Sequence, residues 1–356
     1  MQYLIESQLI LEYTLHRTCV GGNKGIQKDL DDGIDTIGKK MTVCQLYAKQ
    51  IRHRGNVRYN TKNGRKRLMK LLEEDKLGSC PIDSVKLSDA KEWAIRMKEK
   101  GISYKTISND KRSLKAAFYT AIQDDCIRKN PFDFQLNTVI EDDTEPKVPL
   151  TPAQEESFLS FAQNDKVYQK YYDELIILLG TGLRISELCG LTDTDIDFEN
   201  RIINIDHQLL RSAETGYYIE TPKTKSGIRQ IPMSEKVYEA FNRVLKRSRG
   251  AKAVTIDGYS NFLFLNRDGY PKTATNYDGM FRGLAKKYNK YHEEALPKVM
   301  TPHTLRHTFC TNMANAGMNP KALQYIMGHS NITMTLNYYA HATFDSAKAE
   351  MLRIAA

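Results

Sequence analysis

Apolar residues recur at helical spacing through most of the first half of the chain. In residues 43–51 they stand at Val43, Leu46, Tyr47 and Ile51, the i, i+3, i+4, i+8 spacing that places them on one face of a helix. Two further helices are predicted over residues 90–100 and 103–122, and the second of them has lysines and an arginine on its other face. The pattern predicts a small all-α unit with basic surfaces.

An acidic segment with prolines separates this unit from the rest of the chain. Residues 141–149 contain four acidic residues and two prolines, a composition that favours an extended, solvated conformation over a packed helix. We therefore predict four parts: an N-terminal segment of residues 1–39, the all-α unit of residues 40–140, a linker of residues 141–149, and a larger domain of residues 150–356.

The hydrophobic pattern changes after the linker. Residues 201–206, 217–221 and 229–232 are short runs with strand-like composition, and residues 262–265 form a fourth apolar run. The segments around them have helical spacing, including a short amphipathic helix over residues 344–356. The predicted fold is mainly α-helical, with a small antiparallel β-sheet in the second domain.

Composition narrows the class of protein. Hydrophobic residues make up 41% and charged residues 27%, as in ordinary globular chains. No run approaches the ~20 apolar residues of a membrane helix, and the N-terminus lacks the features of a signal peptide. The six cysteines are dispersed without a CxxC pair, which argues against a disulfide framework and favours the cytoplasm. A net charge of +9 makes a polyanionic partner plausible without establishing one.

The residues with candidate chemistry lie in the second domain. Arg184 follows a Gly-Thr-Gly turn at the start of a predicted helix, while Lys223 and Lys225 lie in a predicted hairpin turn between two strands. His303 and Arg306 are three residues apart, so they share one face of a helix near its N-terminus, where anions bind readily. Each of these motifs is ordinary by itself.

Two further signals stand near the C-terminus. A Gly-His pair that includes His329 ends a predicted helix, and Tyr338 and Tyr339 follow nine and ten residues after that histidine. His303 and His307 also have the i, i+4 spacing of zinc-binding helices, but no glutamate follows His303 and no third ligand is evident. The sequence therefore predicts neither a metal nor any other cofactor.

The order and spacing of these motifs resemble the tyrosine recombinase (phage integrase) family. The resemblance covers about residues 150–345, and the all-α unit is similar to the core-binding domain of that family. The amino-acid sequence around Lys225 and from His303 to Tyr339 looks most like that of integrases of Gram-positive conjugative transposons. The family's catalytic positions match Arg184, Lys225, His303, Arg306, His329 and Tyr339.

The resemblance implies a site-specific DNA recombinase, the integrase or excision enzyme of a mobile element. Such an enzyme cleaves and rejoins DNA through a 3′-phosphotyrosyl intermediate and needs neither metal nor ATP. The implied partners are double-stranded DNA at recombination sites, further copies of the chain in a tetramer on DNA, an excision or directionality factor and a DNA-bending host protein. The implied location is the bacterial cytoplasm, on DNA, with no membrane partner.

Several alternatives stay open at this stage. A shift of one residue in the last helix exchanges Tyr339 for Tyr338, and the register of the predicted hairpin leaves Lys223 beside Lys225 as the turn lysine. A type IB topoisomerase-like nicking-closing enzyme has the same chemistry on one duplex, and an architectural DNA-binding protein retains the fold alone. Residues 1–39 are too short for a complete arm-binding domain of the kind that related integrases often have.

Overall fold

The computed structural model describes residues 38–55, 57–145, 148–222, 224–248, 254–339 and 351–352. The chain divides into two compact units, Met1–Glu145 and Pro146–Ala356. Each unit has a hydrophobic core of its own. Lys223, nearly all of the N-terminal segment and most of the predicted C-terminal helix lie outside the described residues.

The described part of the first unit is helical. Thr42 begins the first helix with a reciprocal cap, because its side chain accepts from the Gln45 N–H at 3.2 Å while the Gln45 side chain accepts from the Thr42 N–H at 2.8 Å. The helices predicted over residues 90–100 and 103–122 are confirmed as α4 and α5. The helices are α1 (Val43–His53), α2 (Tyr59–Glu73), α3 (Lys76–Ser79), α4 (Leu87–Glu99) and α5 (Tyr104–Gln123).

Aromatic rings and one buried ion pair hold the first unit together. The ring of Phe132 lies 5.8 Å from that of Trp93 and 5.4 Å from that of Phe118, centroid to centroid. Arg96 donates to both carboxylate oxygens of Asp75, at 2.9 and 2.7 Å, and the Asp75 side chain is almost fully buried. The ion pair joins the start of α3 to α4, and the guanidinium of Arg96 compensates the buried negative charge of Asp75.

In the second unit, helices come both before and after the strands along the sequence. Thr151 begins the first of them with a second reciprocal cap, in which Gln154 is the partner and Pro152 occupies the first helical position. The described helices are α6 (Pro152–Asn164), α7 (Tyr172–Thr181), α8 (Ile185–Gly190), α9 (Glu235–Ser248), α10 (Ala274–Tyr291), α11 (Pro302–Asn315), α12 (Pro320–Met327) and α13 (Thr333–Leu336).

The strands form two small antiparallel sheets. One sheet has the order β1-β2-β5, and its register places Ile203 opposite both Ile196 and Ile231, so that three buried isoleucines line one face. The other sheet pairs β3 with β4. The mainly α-helical class with antiparallel strands is confirmed. The strands are β1 (Ile196–Asp197), β2 (Ile202–Ile205), β3 (Gln208–Ser212), β4 (Gly216–Glu220) and β5 (Arg229–Pro232).

Two details of the strand prediction were wrong. The turn of Lys225 does not close a hairpin, because β4 before it pairs with β3, whereas β5 after it pairs with β2. It is a 3₁₀ turn, Lys225–Gly227, that connects two different sheets. The fourth apolar run, residues 262–265, does not form a strand, because it makes only single bridges, from Phe262 to Thr192 and from Leu265 to Pro271.

None of the helices in the described parts of the chain has the length and apolar character that crossing a membrane requires.

Replacing a buried leucine of the first unit will destabilise that unit selectively. Leu72 in α2 has no exposed area, so Leu72→Ala is expected to lower the free energy of unfolding by about 2–5 kcal/mol through lost burial and a cavity. Trp93 is the only tryptophan of the chain and lies in the same core, so its fluorescence during urea unfolding measures this unit. The control is Leu87→Ala, since Leu87 is 47% exposed; equal losses in the two variants would contradict the packing described here.

Candidate active site

A tight turn between α7 and α8 sets the position of Arg184. Gly182 ends α7 with a left-handed backbone, φ 63°, and a Cβ added there would lie 2.5 Å from Cδ1 of Phe309. Only glycine fits this combination of backbone conformation and close approach. Arg184 then begins α8, and its backbone N–H donates to Oε2 of Glu187 at 2.9 Å. The turn and the cap that Glu187 forms on the Arg184 backbone therefore set the direction of the Arg184 side chain.

Glu187 lies buried beneath Arg184 and binds two arginines. Nη1 of Arg184 donates to Oε1 of Glu187 at 2.7 Å. Nη1 and Nη2 of Arg229 also donate to Oε1 and Oε2, at 3.1 and 2.9 Å. Arg229 has a completely buried side chain, whereas that of Arg184 is 35% exposed. The carboxylate thus fixes one guanidinium in the interior and one at the surface.

These contacts keep Glu187 ionised. Burial by itself would raise the pKa of the carboxyl, but the hydrogen bonds and charge of Arg229, with the charge of Arg184, outweigh burial and hold the pKa at about 2. A permanent negative charge therefore lies at the centre of a cluster of arginines.

Arg306 and His329 contact each other next to the helix end that Arg184 also binds. From the first turns of α11, Arg306 donates through Nη1 to the Gly182 carbonyl and through Nη2 to the Met327 carbonyl, both at 2.5 Å. Its Nη2 also lies 3.1 Å from Nε2 of His329. Nη2 of Arg184 donates to the carbonyl of Gly328, the residue before His329, at 3.0 Å. The end of α12 therefore joins both arginines and the histidine.

The tautomer of His329 follows from its neighbours. A guanidinium only donates, so Nε2 of His329 accepts from Arg306, and Nδ1 carries the proton that faces Thr335 Oγ1 at 3.0 Å. Burial lowers the pKa of His329 to about 4, and the positive charges of Arg306 and Arg184 add to that effect. Burial likewise lowers the pKa of Arg306 to about 9, with Arg184 contributing, so Arg306 remains charged at neutral pH.

The two tyrosines take different positions. The hydroxyl of Tyr339 donates to the carbonyl of Met318 at 2.5 Å. The ring of Tyr338 packs against that of His307 at 4.9 Å, and burial raises the pKa of Tyr338 to about 12, with Cys310 adding and Arg306 opposing. Burial also raises the pKa of Tyr339. Neither hydroxyl is activated by deprotonation in this conformation.

His303 and the Lys225 turn lie at the edge of the cluster. His303 is exposed at the start of α11, and its ring centroid is 6.0 Å from that of His307. Lys225 is exposed as well. Its neighbours Thr224 and Gly227 line a cavity of about 280 Å³ together with Arg184, Glu187, Gln208, Pro222 and Gly328.

The structure therefore brings some of the predicted site residues together and not others. Arg184, Arg306 and His329 are joined by hydrogen bonds, and the turn of Lys225 borders the same cavity. Sequence reasoning missed the buried pair of Glu187 and Arg229. A signal for Glu187 existed, because a carboxylate three residues after a helix-opening residue is the pattern of a reciprocal cap.

One group in the described residues has the composition of a metal site, namely Asp195, Asp206 and His207. Protein contacts account for it. His207 lies 2.6 Å from Asp206 through Nδ1 and 2.8 Å from the Gly190 carbonyl through Nε2. Asp195 accepts from the backbone N–H of Thr192 at 2.7 Å. The group connects the end of α8 to the start of β3 and needs no ion to explain it.

Comparison with known proteins places the chain in a family. The model of the phage integrase family matches residues 149–346. The transposase from transposon Tn916 of Enterococcus faecalis is 69% identical over 92% of this chain and 81% of its own length. The tyrosine recombinase XerC of Bacillus pumilus is 26% identical over 75% of this chain and 80% of its own. The chain belongs to the phage integrase family of tyrosine recombinases.

Solved structures agree with this assignment. The Tn1549 transposon integrase in complex with a circular intermediate DNA is 78% identical and superimposes with a TM-score of 0.85, over 88% of this chain and 99% of that one. A lambda integrase dimer bound to a core site is 16% identical with a TM-score of 0.55, over 83% of this chain and 76% of that one, and it shares the fold. The predicted resemblance to integrases of conjugative transposons is confirmed at the level of the family.

The low pKa of His329 makes stability depend on pH. The folded value of about 4 lies below the unfolded value of 6.5, so the unfolded chain binds more protons between these limits. The contribution of His329 to the free energy of unfolding is complete above pH 6.5. It is lost as the pH falls toward 4, which lowers the free energy of unfolding by about 2 kcal/mol at pH 5. Denaturant unfolding followed by circular dichroism at pH 7 and pH 5 measures it.

His329→Gln is expected to weaken this loss of stability between pH 7 and pH 5. His53→Gln serves as the control, because His53 is exposed in the first unit and the variant should retain the dependence of the wild type. A His329→Gln variant with an unchanged difference between the two pH values would show that His329 is not the titrating group.

Proposed function

We propose that this chain is the site-specific recombinase of a mobile element, and that it cleaves and rejoins double-stranded DNA through Tyr339. The observation that carries the proposal is the hydrogen-bonded cluster of Arg184, Arg306 and His329, whose cavity is bordered by the exposed turn of Lys225. Fixed donors aimed at a developing negative charge are the largest contribution to many phosphoryl-transfer reactions. The similarity to a transposon transposase and to a tyrosine recombinase supports the same reaction class.

The two arginines retain donors for a phosphate. A guanidinium has five N–H groups, and the hydrogen bonds described for Arg184 use two of them. Those described for Arg306 use three, two of which go to backbone carbonyls. The remaining N–H groups suit a fork onto the two non-bridging oxygens of the scissile phosphate. Because protein contacts already fix both side chains, little ordering is left for the moment of DNA binding.

His329 changes its role when a phosphate arrives. In the empty site it is neutral and accepts from Arg306. A phosphate anion beside Nε2 reverses the local electrostatics, raises the pKa of His329 and favours a protonated ring that donates to a phosphate oxygen. Binding of DNA and uptake of a proton by His329 are therefore coupled.

The chemical step exchanges one phosphodiester for another. The Tyr339 oxygen attacks the phosphorus, the bond from phosphorus to the 5′-oxygen breaks, and a 3′-phosphotyrosyl link remains. We assign proton donation to the 5′-oxygen to Lys225, and acceptance of the tyrosine proton to His303. Attack by a 5′-hydroxyl of a second strand reverses the step, so the bond energy is conserved without ATP.

Tyr339 is the proposed nucleophile on the ten-residue spacing from His329. Its hydroxyl must leave the Met318 carbonyl before it attacks, so we infer that DNA binding repositions the segment after α13. Tyr338 instead packs on His307, a contact that suits a residue which orients the segment. Lys223 lies outside the described residues, and Lys225 remains the proposed proton donor.

The first unit supplies a surface for the DNA backbone. Lys62, Lys105 and Arg112 are exposed on α2 and α5. Arg67, also in α2, is instead bonded to both oxygens of the buried Asp110. We propose residues 40–140 as a core DNA-binding domain whose lysines and arginines neutralise phosphates. The linker over residues 141–149 and the catalytic domain over residues 150–356 complete the proposed organisation.

The proposed partners follow from this function. Solved structures of the Tn1549 integrase contain circular intermediate DNA, and one with a tyrosine-to-phenylalanine substitution contains transposon right end DNA. We propose equivalent junction DNA as the substrate here, a tetramer on two duplexes as the active assembly, and an excision factor and a DNA-bending host protein as accessories. The proposed site of action is the bacterial cytoplasm.

A suicide substrate tests the reaction. DNA from the junctions of the element, nicked beside the cleavage point so that cleavage cannot reverse, should form a covalent adduct with the wild type on a denaturing gel in EDTA. Tyr339→Phe is expected to reduce the adduct by at least 10³-fold, because the nucleophile is absent. Tyr291→Phe, at an exposed tyrosine outside the site, should leave it unchanged.

Each alternative has its own result in this assay. Loss of the adduct in Tyr338→Phe alone would make Tyr338 the nucleophile. Equal adduct on DNA without a junction would favour a topoisomerase-like enzyme. Binding to the junction without any adduct would overturn the enzymatic proposal and leave an architectural protein.

A further inference from the structure

Arg229 lies buried directly beneath the turn that presents Lys225. Nη1 of Arg229 donates to the carbonyl of Gly227 at 3.0 Å, and Gly227 is the last residue of the 3₁₀ turn that begins at Lys225. Backbone bonds from Gly227 to Thr224, at 2.8 Å, and from Ile228 to Lys225, at 3.1 Å, close the turn. The bond from Arg229 therefore ties the backbone at an exposed lysine to the protein interior.

The same guanidinium is bound to Arg184 through a shared carboxylate. Arg229 donates to both oxygens of Glu187, a two-pronged arrangement that fixes direction as well as distance. Arg184 donates to these two oxygens from its side chain and from its backbone. A displacement of Arg229 would therefore move the Lys225 turn relative to Arg184.

A third contact joins Arg229 to the segment before His329. Nε donates to the carbonyl of Ile326 at 2.6 Å, in the last turn of α12. A Cβ on Gly328 would lie 3.1 Å from Nη1 of Arg229, so the glycine leaves room for the guanidinium to pass under the helix end. One buried side chain thus connects the turn of Lys225, the helix of Arg184 and the helix end that precedes His329.

We propose that Arg229 is a positioning residue for the leaving-group step, which sets the place of Lys225 relative to the phosphate held by Arg184. The inference rests on the proposed function, in which Lys225 donates the proton. Arg229 itself is too deeply buried to touch DNA. A lysine at this position keeps the charge but has a single nitrogen, which cannot reproduce bonds to a carboxylate and two carbonyls in three directions.

The leaving atom allows Lys225 to be tested separately from phosphate binding. When the bond from phosphorus to the 5′-oxygen breaks, the oxygen takes a proton from Nζ of Lys225. If sulfur replaces that oxygen, the bond from phosphorus to sulfur breaks and a thiolate leaves without a proton, because the pKa of an alkyl thiol is only about 8.5. A misplaced Lys225 therefore slows the oxygen substrate alone, whereas a misplaced Arg184 slows both substrates.

The experiment compares single-turnover cleavage of junction suicide substrates that carry either a 5′-bridging oxygen or a 5′-bridging sulfur. On the oxygen substrate, Lys225→Ala and Arg229→Lys are expected to be slower than the wild type by about 10²-fold or more, the usual contribution of a general acid. On the sulfur substrate, both variants are expected to recover most of the lost cleavage rate. Arg243→Lys is the matched control, because Arg243 donates to the buried Asp173 at 2.8 Å away from this site.

The outcomes separate this inference from the proposed function. If Arg229→Lys is slowed equally on both substrates, or is slowed on neither, Arg229 does not position Lys225. The role of Lys225 as proton donor is then unaffected. A Lys225→Ala variant without recovery on sulfur removes Lys225 as the proton donor and overturns this inference. A wild type without adduct on either substrate overturns the proposed function as well.

A second variant keeps the test decisive if Arg229→Lys does not fold, as circular dichroism would show. The double variant Glu187→Gln, Arg229→Gln removes one buried negative and one buried positive charge together, so the net charge of the interior does not change. It should show the same preference for sulfur over oxygen, and an unchanged ratio of the two rates would contradict the proposal.

Discussion

The buried carboxylate of Glu187 is the interaction on which the rest of the site depends. An ionised carboxylate in the interior is tolerated only when charged donors surround it, and Arg184 and Arg229 together meet that requirement. In doing so they bring together the start of α8 and the start of β5. Removal of Glu187 would leave a buried guanidinium without its counter-ion and Arg184 without its direction.

The ends of helices supply the second constraint. Arg306 is held by the carbonyls of Gly182, the residue that caps the end of α7, and of Met327, the last residue of α12. Unpaired carbonyls at helix ends need donors, and a buried guanidinium provides several in fixed directions. The hydrogen bonds that satisfy these carbonyls also orient the side chain of Arg306, which we assign to the phosphate. The same contacts therefore stabilise the fold and preorganise the site.

The sequence was sufficient for the class of fold, and it singled out Arg184, Arg306 and His329, which hydrogen bonds bring together. Helical periodicity located α4 and α5, and the spacing from Arg184 to Tyr339 identified the family. What it could not show was pairing between distant positions: Glu187 and Arg229 are 42 residues apart, and no local pattern connects them. For the same reason the hairpin at Lys225 was wrong, because strand partners depend on register across sheets. The present bond of Tyr339 to Met318 also depends on tertiary packing, which spacing does not reveal.

The most direct test of this account is a structure of the chain on cleaved junction DNA with vanadate at the scissile position, as a mimic of the transition state. We predict hydrogen-bond distances from the equatorial oxygens to Arg184 and Arg306. Tyr339 Oη should lie at one apex, and Lys225 Nζ should lie beside the 5′-oxygen at the other, while the pair of Glu187 and Arg229 stays intact beneath them. A vanadate bound away from the two arginines, or a site in which Arg184 has left Glu187 to reach it, would contradict the claim that the empty fold already holds the site in place.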